Sequence, residues 1–236
     1  MQHLEPSCSI PLDEGGRAHL IVTERSHGDL AIGASGIDDR RRQIVDAPWT
    51  WLRQVHGRNV VEVRHPGDRA GREADAAWTA RCDAPVAVQV ADCAPVALVS
   101  PGGLIGVAHA GWRGLVAGVV EATIDAMRTG GAGELVAVLG PCIRPSAYEF
   151  GEPALAQVEK RLGPTVRSAT ERGTPALDVP AAVEVALGKR GVPLVAVLGG
   201  CTAAEATRRW SHRARGDAER QAMVAWIDCS GEDDGR

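Results

Sequence analysis

The sequence predicts a single α/β domain organised around a mixed β-sheet. Short runs rich in Val and Ile recur along the chain, with amphipathic helical stretches between them. Some of these runs stand too close together for a helical crossover, so antiparallel pairs must accompany parallel ones. No Pro/Ser-rich linker or charge block interrupts the 236 residues, a length that buries a sizeable core in one unit, 1–236.

In chain order, His19–Thr23 is the first strand-like run, and Ile37–Val45 the first with helical spacing. Trp51–Val55 and Val60–Arg64, joined by His56-Gly57-Arg58-Asn59, read as a hairpin. Val86–Val90, Val96–Val99 and Leu104–Ala108 are three further strands. The clearest helix is Leu115–Met127: Leu115, Val116, Val119, Val120, Thr123, Ile124 and Met127 share one face, and Gly130-Gly131 stops it. Leu135–Leu139 is a strand, and Pro153–Leu162 and Pro180–Lys189 are helices, the latter capped by Asp178 or Val179. Leu194–Leu198 and Met223–Ile227 complete the set, and no internal repeat or low-complexity tract appears.

Composition excludes several classes of function. Lys and Arg number 26 against 30 Asp and Glu, a net charge of −4, which argues against a nucleic-acid binder. The basic clusters Arg40-Arg41-Arg42 and Arg208-Arg209 are short, sit beside acids and read as solvated helix faces. Met1–Pro11 lacks the basic start and apolar core of a signal peptide, and no window reaches the roughly 18 apolar residues of a membrane span. A cytoplasmic protein with no membrane partner is expected. Its six cysteines (Cys8, Cys82, Cys93, Cys142, Cys201, Cys229) form no CxxC motif or disulfide framework, so most are expected as buried thiols or site residues. Cys142 and Cys201 read as buried apolar thiols. His19 and His65 read as hydrogen-bonded structural imidazoles.

The chemistry concentrates in three places. The strand Leu104–Ala108 runs into His109-Ala110-Gly111-Trp112-Arg113-Gly114, Ala91-Asp92-Cys93-Ala94-Pro95 lies just upstream, and Gln54-Val55-His56-Gly57 offers a second imidazole. His56, Cys93 and His109 thus stand at element ends beside glycines or tight turns, where a backbone approaches a ligand closely. Two His and one Cys suit Zn²⁺, or a copper ion, with one open coordination position. Asp92 and Asp75 are the nearest carboxylates in sequence, candidates for acid–base work. Gly111-Trp112-Arg113-Gly114 at a helix start supplies a cation and free backbone N–H groups, an anion site. Arg144 and Arg213 are the other phosphate-ligand candidates, and Trp112 either packs in the core or stacks on a base.

These motifs, with Glu73-Ala74-Asp75-Ala76, Gly140-Pro141-Cys142-Ile143 and Cys201-Thr202, occur in the order of the YfiH/laccase-domain family, which the chain resembles from 51 to 227. That family was long named for multicopper polyphenol oxidase (laccase) activity and is now described as purine nucleoside phosphorylases. The resemblance implies a compact domain of layered mixed β-sheets flanked by helices, and a metal site at His56, Cys93 and His109. The activity it implies is zinc-dependent phosphorolysis of adenosine, inosine, guanosine and methylthioadenosine, with adenosine deamination beside it. Nucleoside and phosphate are then the small-molecule partners. Two segments depart from the family pattern: Ser211-His212-Arg213-Ala214 stands where Ser-Tyr-Arg-Arg is usual, and Ala218-Glu219-Arg220 where Thr-Gly-Arg is usual.

Three rival readings use the same residues. A multicopper oxidase needs a type 1 copper and a trinuclear cluster, yet the chain has seven His (His3, His19, His27, His56, His65, His109, His212) and no His-x-His pair. A cysteine hydrolase, with Cys93 as nucleophile and His109 as base, would act without metal, as in the editing of peptidoglycan precursors associated with some family members. A structural zinc module would need a fourth protein ligand, and none stands at short spacing.

Overall fold

The computed structural model describes residues 4–228, so His3 and Cys229 lie outside the described residues. The strands are β1 (Cys8–Pro11), β2 (Arg17–Val22), β3 (Thr50–Trp51), β4 (Val60–Val63), β5 (Ala76–Thr79), β6 (Val86–Val90), β7 (Ala94–Ser100), β8 (Leu104–Ala110), β9 (Val136–Leu139), β10 (Arg167–Ala169), β11 (Pro175–Leu177), β12 (Leu194–Val197) and β13 (Gln221–Asp228). The helices are α1 (Ile37–Ile44), α2 (Trp112–Ala117), α3 (Val119–Thr129), α4 (Glu152–Leu162), α5 (Val179–Gly188) and α6 (His212–Arg215). A five-stranded sheet has the order β1-β2-β13-β6-β3, a six-stranded sheet the order β12-β9-β7-β8-β5-β4, and β10 and β11 form a separate hairpin.

Burial explains the layering. β6, β7 and β8 are covered on both sides, so their sequences are apolar without alternation. Leu20, Val86, Val88 and Met223 of the five-stranded sheet meet Ala97, Val99, Ile105 and Val107 of the six-stranded sheet across a dry interlayer. The other face of the six-stranded sheet buries Val96, Leu98 and Ala108 under α2, α3, α4 and α5. Ile44 of α1, with Leu30 and Trp49, covers Ile21, Ala87 and Val224 on the outer face of the five-stranded sheet. Asp178 caps α5, accepting the N–H of Ala181 at 2.9 Å, as its position before the apolar run predicts.

The layered mixed α/β architecture is therefore the one predicted, with corrections in its parts. The proposed hairpin of Trp51–Val55 with Val60–Arg64 does not form. β3 ends at Trp51 and pairs in parallel with β6, whereas β4 pairs in parallel with β5 in the other sheet. The predicted helix Leu115–Met127 is two helices, because Gly118 takes a left-handed φ of 87° between α2 and α3. Arg41 and Arg209 are buried rather than solvated: Arg41 lies over the Trp51 ring, and Arg209 pairs with Glu24 and Glu205 and donates to the Thr23 carbonyl. Cys82 is disulfide-bonded, against the expectation of thiols. His19 is a structural imidazole, hydrogen-bonded to Ser9 and tilted against Trp226.

Candidate metal centre and the cleft above it

Two of the three predicted ligands stand where the chain passes from one sheet to the other. His56 lies between β3 of the five-stranded sheet and β4 of the six-stranded sheet, and Cys93 lies between β6 and β7, which belong to the same two sheets in the same order. His109 is the penultimate residue of β8, opposite Pro95. These crossings bring Cys93 Sγ to 3.8 Å from His56 Nε2, and the three donor atoms lie within 4.8 Å of one another. Among the described residues this is the one cluster of three such donors.

Asp75 organises the cluster from behind. It is fully buried at the entrance to β5, and its carboxylate accepts the N–H groups of Val55 (3.2 Å), His56 (2.9 Å) and Gly57 (2.7 Å). The same carboxylate takes His109 Nδ1 at 2.9 Å. A carboxylate only accepts, so Nδ1 carries the proton and Nε2 is left for a ligand. Its hydrogen bonds also hold His56 at a left-handed φ of 58°, a strained conformation for a residue with a side chain. Asp75 thus stands behind the centre, its oxygens engaged by three loop amides and His109, and it is not among the residues that line the cleft. Asp92 is similarly engaged. At φ 93°, its two oxygens accept Thr202 Oγ1 and the Arg213 N–H, each at 2.6 Å, which ties the Cys93 turn to the start of α6.

The electrostatics suit a thiolate. Burial alone would push the Cys93 thiol up, but the His109 and His56 imidazoles outweigh it and bring it down to about 6. Burial likewise disfavours charge on His109, yet Cys93 and Asp75 raise it to about 9. These values belong to the metal-free pair. Burial would raise Asp75, but the bonds from His109 and the loop amides hold it below its ordinary value.

The donor set fits a metal ion. Zn–S and Zn–N bonds of about 2.3 and 2.0 Å put neighbouring tetrahedral ligand atoms about 3.3–3.6 Å apart; Cys93 Sγ and His56 Nε2 stand at 3.8 Å, and all three donors lie within 4.8 Å, a spread that small side-chain turns would close. The Asp75–His109 bond is the outer-shell contact that metal-ligating histidines keep. Gly111 completes the fit: a Cβ there would stand 2.7 Å from His56 Cδ2 and 3.0 Å from Cys93 Sγ, so no side chain is accommodated.

Above the centre opens a cleft of about 480 Å³, which brings together His56, Cys93, His109, Asp92, Trp112, Arg113 and Arg213. The Arg113 guanidinium lies 4.3 Å over the Trp112 ring, and Trp112 itself packs edge-on against Phe150. Arg213 lies over Tyr148 and donates to the Glu149 carbonyl at 2.7 Å. Arg144 does not line the cleft; its side chain turns to the Gly199 carbonyl and its N–H to Cys201 Sγ. Cys142 is a buried thiol pushed up to about 12 by its apolar surroundings, whereas Cys201 is only partly buried. The helix at Trp112 is shorter than predicted, six residues, so the anion-binding contribution of its dipole is reduced. Arg53, Gln54, Gln89, Tyr148, His212 and Arg220 also line the cleft. Of these, Gln54 lies in the Gln54-Val55-His56-Gly57 motif, and His212 and Arg220 in the segments that depart from the family pattern; the others had no signal.

Known proteins give this geometry a family. Residues 37–228 match the family model described as multi-copper polyphenol oxidoreductase laccase. A protein of Streptomyces griseus named purine nucleoside phosphorylase is 35% identical over 237 residues, covering 90% of this chain and 96% of that protein. One of Streptomyces coelicolor with the same name is 39% identical over 204 residues, covering 85% and 81%. The crystal structure of a Neisseria meningitidis protein of the DUF152 family aligns with a TM-score of 0.79 at 28% identity, over 89% of this chain and 94% of that one. YlmD from Geobacillus stearothermophilus has the same fold, with a TM-score of 0.78 at 24% identity over 96% and 98%. The chain belongs to the multi-copper polyphenol oxidoreductase laccase family, the YfiH/DUF152 group.

Proposed function

We propose that this chain is a zinc-dependent purine nucleoside phosphorylase of broad range. It would act on adenosine, inosine, guanosine and methylthioadenosine, with adenosine deamination as a second activity. One observation carries the reading: two histidines and a thiolate converge at the floor of an arginine-lined cleft, in a chain whose relatives bear that name. His56, Cys93 and His109 would hold the zinc ion, which would supply a Lewis acid at the floor of the cleft. Phosphorolysis breaks the N-glycosidic bond and joins C1′ to a phosphate oxygen, the base leaving with a proton. Arg113, which has no carboxylate partner among the described residues, holds the phosphate dianion together with Arg213. Asp75 keeps His109 in the ligating tautomer, and Asp92 fixes the α6 segment that carries Arg213 to the cleft.

A cysteine hydrolase is the second reading, favoured by the lowered Cys93 thiol beside His109. A copper oxidase is less well supported, because the cluster provides one centre and the described residues hold no second.

The test is incubation of the zinc-loaded protein with the four nucleosides, with and without phosphate, followed by separation of products and measurement of metal content. Phosphate-dependent release of free base and about one zinc per chain are expected. In the same assay Arg113→Ala raises the phosphate KM about 10- to 100-fold, a loss of about 1.5–3 kcal/mol, and Arg113→Lys recovers part of it. Neither base nor inosine under any phosphate condition overturns the reading, and a metal-free active protein selects the hydrolase.

A further inference from the structure

The cleft contains two glutamines whose amides have opposite fates. Gln54 Nε2 donates to the Gln89 carbonyl at 2.7 Å, and Gln54 Oε1 accepts the Gln89 N–H at 2.8 Å. The Gln54 side chain thus stands in for a peptide unit, prolonging along β6 the pairing that β3 abandons at Trp51. Both polar ends of Gln54 are consumed, and β6 is held beside the loop that carries His56.

Gln89 is the reverse case. Its backbone is satisfied by Gln54, its side chain lines the cleft, and only 8% of the residue is exposed. Among the described residues its amide has no hydrogen-bond partner. The amide is not sealed in, because Gln89 is absent from the buried polar atoms left unpaired, which are Glu121 Oε2 and Trp210 Nε1. An amide held so deeply with both its donor and its acceptor unspent is placed to read a ligand. Ala31, Ile32 and Val90 give the same cleft apolar lining, suited to the flat body of a base.

We infer that Gln89 is the specificity-determining residue that reads the six-position edge of the purine, an inference that rests on the nucleoside reading of this site. An amide matches both common purine edges by turning over. With a 6-amino purine, Oε1 accepts from N6–H and Nε2 donates to N1; with a 6-oxo purine, Nε2 donates to O6 and Oε1 accepts from N1–H. A carboxylate or an ammonium cannot present both patterns. One residue therefore accounts for acceptance of adenosine alongside inosine and guanosine.

The test compares kcat/KM of the zinc-loaded full-length protein for adenosine, inosine and purine riboside, which lacks any six-substituent. Wild type is set beside Gln89→Leu and Gln89→Met, at saturating phosphate. The intrinsic reactivity of each nucleoside cancels when ratios are compared between proteins. Both variants are expected to lower the ratios of adenosine and inosine to purine riboside about tenfold, through KM rather than kcat. The expected KM-only change separates reading of the base from disturbance of the metal loop, which would lower kcat for all three. Ratios unchanged in a folded variant overturn the role of Gln89 alone, and Gln89→Met carries the test if Gln89→Leu fails to fold. A wild type that cleaves no nucleoside overturns this inference and the reading beneath it together.

Discussion

Cys93 shows most directly how three side chains share one environment. In the metal-free protein its thiol stands at about 6, well below the ordinary 9.0, and His109 at about 9, above the ordinary 6.5. The signs are opposite. The stabilisation due to Cys93 is present above its unfolded value and is lost as pH falls through about 6. That due to His109 is present below its unfolded value and is lost as pH rises through about 9. The thiolate–imidazolium pair is accordingly intact between about pH 6 and 9. Alkylation of Cys93 by iodoacetamide in chelator-treated protein should therefore rise through a midpoint near pH 6, and loading with zinc should suppress it. A midpoint near 9 would show that the imidazoles do not act on the thiol. The three candidate donors could be singled out in the sequence because each stands close to a turn or a glycine, and the fold does bring them within 4.8 Å of one another. Arg144, the other phosphate-ligand candidate beside Arg213, does not reach the cleft, because sequence does not fix where a long side chain turns, and here it turns to the Gly199 carbonyl.

At the scale of elements, the errors of reading have local causes. The stripe from Leu115 to Met127 continues without interruption across Gly118, so periodicity alone reports one helix where a left-handed residue makes two. β5, Ala-Ala-Trp-Thr, has few β-branched residues and gave no signal, and without it β4 had no visible partner except its neighbour in sequence. The placement of three further cleft residues could not be read for another reason. Tyr148, His212 and Arg220 come from irregular or very short segments, whose positions depend on tertiary contacts. For α6 the contact is Asp92, which accepts the Arg213 N–H, while Ser211 caps the helix. Asp92→Ala should speed amide exchange across residues 211–216 at least tenfold while leaving α3 and α5 unchanged. Equal exchange in the two proteins would mean that α6 is held by its cap and by the bonds of Arg213 and Arg215 to neighbouring carbonyls, without need of Asp92.

At the scale of the whole molecule, the fold class was legible because it follows from hydrophobic runs, and three of these, β6, β7 and β8, are buried throughout. Which sheet each strand joins was not, since both sheets draw on similar apolar sequences and the choice is made by the interlayer packing. A core of this extent does not need a metal as a staple, so removal of metal is expected to leave the fold intact, which circular dichroism of chelator-treated protein checks. The chain passes from the five-stranded to the six-stranded sheet at His56 and again at Cys93, while His109 belongs to the six-stranded sheet itself. An ion held by these three residues would tie the two layers together at that end, far from β1 and β2. Zinc loading should slow exchange at the ends of β6 and β8 next to the centre, with β1 and β2 unaffected, and a chelator should reverse it. No difference would mean that metal binds elsewhere. Because the two crossings and β8 meet at one point, a substitution that displaces any one of His56, Cys93 or His109 should be felt in both layers at once.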